Sequence, residues 1–315
     1  MGISTGGPTV AQLRAFLAVA EYLHFRKAAA ALGVSQPTLS AGLSGCEEAL
    51  GARLVDRTTR KVVLTRAGER LRPHAQAVLD AVDVLVAESS WTRGPFSGTV
   101  RLGVIPTVAP YLLPVALRAL SSAYPELTVE VHEERTANLL ESLESGRLDL
   151  GVLALPVGTP GLAVDPLYDE DFVLVTPRGH DLSTRDVVGV GVLRDLDVLL
   201  LEEGHCLRDQ TLDICAEAGS GGGRAAGLTT LAQLVAAGMG VTVLPETALA
   251  VEAKRAGLAA VRFAPPAPRR RIAVAYRESA SRAAEYAALA AEIRRAARAR
   301  RLPVRILGCP TALAG

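Results

Sequence analysis

Ala28-Ala-Ala-Ala-Leu-Gly-Val-Ser-Gln-Pro-Thr-Leu-Ser40 decides how the N-terminal part of this 315-residue chain folds. Phe25, Ala28, Ala29 and Leu32 recur at helical spacing, and Gly33 ends that helix. Ser35 is then a good N-cap with Pro37 in the first turn, and Leu39, Leu43, Cys46 and Leu50 form the next apolar face. Upstream, Leu13, Phe16, Leu17 and Ala20 mark a further helix. Two short helices, a Gly turn and a third helix form a helix-turn-helix pattern. The third would be the recognition helix, with Ser35, Gln36, Pro37, Thr38 and Ser40 at its exposed start. Gln and Ser/Thr side chains read base edges, and helix N-termini take phosphate.

Downstream, Arg53-Leu-Val-Asp-Arg57-Thr-Thr-Arg60-Lys61-Val-Val-Leu-Thr65 reads as an alternating hairpin. From Arg53 to Arg72 there are seven basic residues against two acidic ones, a local net charge of +5. Such a wing grips phosphates beside the recognition helix, with Arg53, Arg57, Arg60 and Lys61 as the contacts. The plainer alternative is a solvated charged hairpin. Cys46 falls at a core position and reads as an inert small hydrophobe.

The 28–40 stretch, Glu47-x-x-Leu-Gly51 and Arg57-Thr…Leu64-Thr-x-Ala-Gly68 resemble the DNA-binding domain of LysR-type transcriptional regulators. Gly42 and Gly45 depart from that pattern, each costing about 1 kcal/mol of helix propensity. Together with Cys46 in place of a larger aliphatic, they predict a looser core at that point.

Residues 66–98 read as a linker helix and hinge. Leu71, Ala75, Val78, Val82 and Leu85 recur at steps of four, three, four and three, a short heptad stripe that signals pairing between chains. Packing on the protein's own domain is the alternative. Pro73 inside the stripe should kink the helix or mark a second start. Trp91 to Gly98 reads as the hinge.

From Thr99 the texture changes to strand-length apolar runs, Thr99–Ile105, Thr128–Glu133 and Asp149–Leu155, separated by helical segments around Val108–Ala123 and Ala137–Ser145. This β-α-β-α-β order implies a parallel sheet. A second set follows: Phe172–Thr176, Val198–Leu201, a helix from Cys206, Leu228–Ala237 and Val241–Leu244. Arg271–Tyr276 then returns to the first lobe before a last helix near Ala283–Arg298. Two α/β lobes with chain crossovers resemble the periplasmic-binding-protein-like effector domain of the same family, and Val235-Ala-Ala-Gly-Met-Gly-Val-Thr-Val-Leu-Pro245 resembles its late signature. The expected fold is an N-terminal all-α winged helix-turn-helix (residues 1–65) followed by an α/β two-lobed effector domain (99–301). Lobe I takes about 99–168 and 271–301, lobe II about 169–270, and 302–315, with Cys309, read as a loose tail.

Chemistry concentrates in Glu202-Glu-Gly-His-Cys-Leu-Arg-Asp-Gln-Thr-Leu-Asp-Ile-Cys-Ala-Glu-Ala-Gly219. A helix from Cys206 puts Leu207, Thr211, Ile214, Cys215 and Ala218 on one face, with Gly219 as C-cap. The nine-residue step from Cys206 to Cys215 spans roughly 13.5 Å of rise. A disulfide needs Cα atoms about 4.4–6.8 Å apart, so these two thiols join only if the segment unwinds. Cys206 in a first helical turn beside His205 and Arg208 suits a reactive thiolate. The plain reading is an apolar Cys215, an incidental Cys206 and a solvated His and Arg. A zinc site lacks a fourth ligand, and no metal or other cofactor is expected.

Gly204-His-Cys-Leu-Arg-Asp-Gln210 with Cys215, Ile105-Pro-Thr107 with Pro110-Tyr-Leu-Leu-Pro114, and His132-Glu-x-x-Thr136 resemble the hydrogen-peroxide-sensing members of the LysR family. The resemblance implies that Cys206 reacts with peroxide and that Cys215 resolves it, with Thr107, Thr136, His205, Arg208 and Asp209 lining or supporting the pocket. The two threonines each stand between a strand and a helix, where they either face a ligand or cap the helix. Ala225-Ala-Gly227 replaces the family's Ala-Thr-Ser before the late helix, so two hydroxyls are missing there.

A net charge of +1 and the absence of a signal-like N-terminus or a long apolar run predict a cytoplasmic protein with no membrane partner. Four cysteines do not make a secreted disulfide framework. The expected partners are double-stranded promoter DNA, a second copy (dimer or tetramer), RNA polymerase, hydrogen peroxide as signal and a cytosolic thiol reductant. The competing readings are a regulator that answers to a small metabolite, a thiol peroxidase using Cys206 rather than a non-enzyme, and a transport binding protein.

Overall fold

The structure, a computed structural model, describes residues 6–57, 62–89, 94–215 and 224–307. It divides into two compact units, Met1–Ser89 and Ser90–Gly315. Arg60, Lys61, Gly219 and Cys309 lie outside the described residues, as does the hinge segment 90–93.

In the first unit, α1 (Val10–Tyr22), α2 (Phe25–Ala31) and α3 (Gln36–Leu50) enclose a core around Phe16, Val19, Leu39, Leu43 and Cys46. Gly33 takes φ +66°, the left-handed turn that the sequence required of it. The Ser35 hydroxyl accepts the Thr38 N–H at 3.3 Å, so α3 is capped as expected. The wing is the antiparallel pair β1 (Val55–Arg57) and β2 (Val62–Leu64). Glu47 Oε1 accepts the N–H groups of Leu54 (2.9 Å) and Val55 (3.2 Å), which fastens the wing to α3.

The expected looseness around Gly42 and Gly45 is not what the helices do with them. A Cβ on Gly42 would lie 3.0 Å from the Ala15 Cβ, and one on Gly45 would lie 2.4 Å from Gln12 Nε2. Both glycines let α1 and α3 approach closely, trading helix propensity for contact. Cys46 is fully buried, and burial pushes its thiol pKa up, with Glu47 adding to the effect.

One 24-residue helix, α4 (Arg66–Ser89), carries the heptad stripe, and Pro73 marks no second start. A proline removes one i→i−4 bond, and the helix runs on through it. The stripe is divided in use. Ala75 is buried and Leu71 partly buried against this unit's own core, whereas Val78 and Leu85 are exposed.

The second unit begins with β3 (Gly98–Val104), α5 (Ala109–Ala123), β4 (Leu127–Glu133), α6 (Thr136–Glu144) and β5 (Leu150–Ala154). As the alternation predicts, β3 lies parallel to both β4 and β5. The long β6 (Leu162–Thr176) then leads into β7 (Val187–Val188), β8 (Leu200–Leu201), α7 (Cys206–Ile214), β9 (Arg224–Ala225), α8 (Leu228–Ala236) and β10 (Thr242–Pro245). The short α9 (Glu246–Ala248) and α10 (Lys254–Ala256) flank a π-helical turn at Leu249–Ala253. The chain closes with β11 (Ala259–Phe263), β12 (Arg269–Arg277), α11 (Ala283–Ala299) and β13 (Arg305–Ile306).

Strand β6 joins the lobes. Its residues Leu162–Asp171 pair antiparallel with β12, and Phe172–Thr176 pair with β10 and β11. Two apolar cores result, one around β3, β5, β12, α5 and α11, the other around β10, β11, α7 and α8. The expected loose tail is docked through residue 307. β13 pairs with β6 at Asp169 and Tyr168, and Arg305 Nη1 donates to Asp171 at 2.8 Å.

Candidate redox site

Helix α7 starts at Cys206 with His205 as N-cap and ends at Ile214, with Cys215 as its cap residue. Cys215 has left helical geometry (φ −90°, ψ 14°), and the expected Gly219 cap lies outside the described residues. Both cysteines are free thiols. Cys206 is partly buried and packs against the lobe I core, whereas Cys215 is buried in the lobe II core with Leu207 and Leu231. Burial alone pushes the Cys215 thiol pKa up.

Arg135, at the N-cap of α6, bonds the loop just before this helix. Arg135 donates from Nη1 to the Glu203 carbonyl at 2.9 Å and from Nη2 to Glu202 at 3.3 Å. Gly204 makes this possible: at φ +91° it turns the chain, and a Cβ there would press on Arg135 Cδ at 3.1 Å. Thr136 follows Arg135 at the first position of α6 and does not cap it; its hydroxyl is buried with no hydrogen-bond partner. Thr107 caps nothing either, since α5 has Val108 at its N-cap and no side-chain cap bond. Thr107 is 2% exposed, and its hydroxyl accepts Arg270 Nη1–H at 2.9 Å.

Thr107 and His205 line one interlobe cleft of about 400 Å³ together with Tyr111, Arg135, Gly227 and Glu252. His205 is 4% exposed; the backbone at Ala226 faces it, but neither ring nitrogen reaches hydrogen-bond geometry. Its pKa lies below the ordinary imidazole value because of burial and then the Arg135 charge, with Glu202 opposing. Arg208 reaches Glu203 and Asp209, both at 3.4 Å, and its Nε is buried without a partner. Asp209 is exposed on the outer face of α7, so it supports Arg208 and does not line the cleft. Among the described residues, the buried side-chain polar atoms without a partner belong to Thr136, His205, Arg208 and Gln210. All four stand at the start of α6 or within four residues of Cys206. Buried polar atoms are nearly always paired, so such a concentration marks a functional site.

Two residues in this site escaped the sequence reading. Arg270 and Glu170 face each other across the β6–β12 register and are both fully buried, with Nε to Oε2 at 2.9 Å. Arg270 also donates from Nη2 to the Thr107 carbonyl at 3.1 Å and lies 6.0 Å over the Phe172 ring. Burial works against its charge, but Glu170 and then Cys206 and Tyr168 outweigh that and raise its pKa. The signal was present as Asp169-Glu-Asp171 and Arg269-Arg-Arg271, two charge triplets adjoining apolar strands. On the outer faces, Arg271 binds Asp169 (2.7 Å) and Arg305 binds Asp171, leaving only the middle pair buried.

Family models match both parts of the chain: "Bacterial regulatory helix-turn-helix protein, lysR family" over residues 10–69 and "LysR substrate binding domain" over 93–298. A probable hydrogen peroxide-inducible genes activator of Streptomyces viridosporus is 59% identical over 305 residues, covering 95% of this chain and 97% of that protein. The DNA-binding transcriptional dual regulator OxyR of Escherichia coli K12 is 41% identical, covering 90% and 94%. Among solved structures, a hydrogen peroxide-bound cysteine mutant of Corynebacterium glutamicum OxyR aligns with TM-score 0.63 at 42% identity, covering 93% and 95%. The oxidized form of that OxyR aligns with TM-score 0.58 at 40% identity, covering 95% and 94%. With both domains matched in order and near-complete relatives at this identity, the chain belongs to the LysR family of bacterial helix-turn-helix regulators.

Proposed function

We propose that this chain is a DNA-binding transcription regulator that senses hydrogen peroxide through a reversible Cys206–Cys215 disulfide and regulates oxidative-stress genes. The observation that carries the reading is the cluster of unpartnered buried polar atoms at the start of α6 and within four residues of Cys206. Thiolate Cys206 attacks one peroxide oxygen and becomes a sulfenic acid; the other oxygen leaves as hydroxide and takes up a proton to become water. The Cys215 thiolate then attacks that sulfur, the S–O bond breaks, a second water leaves and the disulfide remains. Thr107, Thr136 and His205 hold the small peroxide, while Arg208, braced by Asp209, and Arg270 favour the anion. Two electrons from a cytosolic thiol reductant return both thiols. Cys206 turns over only as a switch, so the protein is not an enzyme.

On the DNA side, Ser35, Gln36, Pro37 and Thr38 are exposed at the start of α3 and Arg53 beside the wing. These residues, with Ser40, Arg57, Arg60 and Lys61, make the promoter contacts. Val78, Val82 and Leu85 form the pairing face of α4, beside Leu71 and Ala75, giving a dimer that assembles further into a tetramer and recruits RNA polymerase. Among the described residues no helix is long and apolar enough to cross a membrane, and the protein works in the cytoplasm.

The test is to treat anaerobically purified protein with stoichiometric hydrogen peroxide, block free thiols and map the peptides by mass spectrometry. A fast Cys206–Cys215 disulfide, absent after Cys206→Ser, is the expected result. Both thiols remaining free, or Cys46 and Cys309 reacting as readily, overturns the reading. The interlobe cleft favours one second reading, a metabolite effector; DNA binding that answers to a metabolite and ignores peroxide identifies it.

A further inference from the structure

The motif His132-Glu-x-x-Thr136 leaves position 135 open, and an arginine stands there. Its backbone belongs to lobe I. The Glu134 N–H bonds the Val104 carbonyl at 3.2 Å, and the Arg135 carbonyl accepts the Leu139 N–H at 2.9 Å. Its side chain leaves that lobe for the loop ahead of Cys206. Nη1 donates to the Glu203 carbonyl at 2.9 Å and Nη2 to Glu202 at 3.3 Å, while the stem lies along Gly204, where a Cβ would stand 3.1 Å from Cδ. Glu202 itself is held to lobe II, its N–H bonding the Ala225 carbonyl at 2.9 Å. The short run from that bond to Cys206 is thus grasped from lobe I by one side chain. Tyr111 and Glu252, at 3.0 Å, join the lobes elsewhere along the cleft, at the π-helical turn.

We propose that Arg135 is a positioning residue for the redox loop: it fastens the chain ahead of Cys206 to lobe I in the reduced protein, and disulfide formation has to break that hold. The proposal rests on the reading of Cys206 and Cys215 as a reversible disulfide. Cys206 packs on the lobe I core and Cys215 is buried in that of lobe II, so one end of α7 must travel. Cys215 is 7% exposed among apolar neighbours, and withdrawing it uncovers that core. Cys206 is only half-buried, and the chain enters it through Gly204, at φ +91°. The Cys206 end is therefore the one that moves, away from lobe I. Arg135 cannot follow, because its own backbone bonds lie in lobe I. Of its two contacts, the one to the Glu203 carbonyl matters more. The Glu202 pair is exposed, at 43% and 49% of the two side chains, and such pairs contribute little. A charged donor on a main-chain carbonyl is stronger and fixes the backbone itself.

The first test is Arg135→Ala in the full chain, equilibrated in glutathione redox buffers and read by mass spectrometry of the Cys206 and Cys215 peptides. Each disulfide that forms turns one glutathione disulfide into two glutathione thiols, so two protons and two electrons pass between the partners. With the hold on the reduced loop gone, the equilibrium constant for forming the disulfide rises roughly three- to tenfold, a potential about 15–30 mV more negative. A constant that stays or falls overturns the proposal. Glu202→Gln removes the exposed ion pair and leaves the carbonyl bond, so its potential stays at the wild-type value. A shift as large as that of R135A makes the effect one of surface charge and overturns the hold on the loop. Hydrogen exchange of the reduced chain needs no disulfide. In R135A the first turn of α7, where the Arg208 N–H bonds the His205 carbonyl at 2.9 Å, exchanges faster, while Leu139–Glu144 of α6 keep the wild-type rate. The expected change at α7 is roughly threefold. An unchanged rate at α7, or a rise shared by both helices, overturns the positioning role. If the wild-type chain forms no Cys206–Cys215 disulfide, the sensor reading fails, and the exchange at α7 still decides whether Arg135 holds the loop.

Discussion

Cys206 and Cys215 stand at the two ends of one nine-residue helix, yet Cys206 packs on the core of lobe I and Cys215 is buried in the core of lobe II. Helical geometry separates them by roughly 13.5 Å of rise, about twice the Cα distance a disulfide spans. Oxidation therefore has to spend α7. After peroxide treatment, the amides of Cys206–Ile214 should lose hydrogen-exchange protection, and Leu207 and Leu231 should loosen with them. A disulfide found by mass spectrometry with α7 still fully protected shows that the helix does not unwind.

The two thiols should differ in what their removal costs the fold. Cys215→Ser places a hydroxyl in an apolar core that offers no assigned partner, at a cost of about 1–3 kcal/mol. Cys206→Ser sits half-buried among polar groups and should cost less than half of that. Urea unfolding of the reduced proteins compares them. Equal losses show that Cys215 is not held in the packing described.

Gly68 closes the motif Leu64-Thr-x-Ala-Gly, and the wing shows why. A Cβ at Gly68 would stand 2.1 Å from the Leu54 carbonyl oxygen, where backbone cannot yield cheaply. Gly68→Ala should destabilise the DNA-binding unit by about 1–3 kcal/mol, in spite of the better helix propensity of alanine. Thermal unfolding of that unit reads the effect, and a stabilised variant contradicts the contact.

His205 predicts a pH dependence of definite sign. Its folded pKa is depressed by burial and then by Arg135, so the unfolded chain takes up the proton first as pH falls. Stability is full above the ordinary imidazole value of 6.5 and is lost below it, down to the depressed folded pKa. Denaturation between about pH 7.5 and 5.5 should show a decline that His205→Gln largely removes. A variant with an unchanged pH slope rules the histidine out.

Local signals were legible where one residue answers to one local constraint. The Ser35 cap, the Gly33 turn and the β-α-β-α-β alternation of lobe I depend on neighbours close in sequence, and the helices and parallel strands stand within a residue or two of where periodicity put them. The heptad stripe was legible as a stripe but not in its use, because the same apolar spacing serves a partner helix or the unit's own core. Ala75 turned inward and Leu85 stayed exposed. The π-helical turn before α10 and the docking of Arg305 on β6 left no periodic trace to read.

The sequence by itself determined the two-part architecture, the DNA-binding pattern and the pair of cysteines on one helix, because each is written in spacing along the chain. Only the tertiary structure decided that Arg270 is bonded to Thr107, which lines the cleft, and that Glu170 holds Arg270. Arg270 and Glu170 are 64 and 36 positions from Cys206, and no local period links them. They meet because β6 and β12 pair in a register that sets Glu170 opposite Arg270. A charge buried in a sheet is tolerated only where the fold brings its counter-charge to the same place.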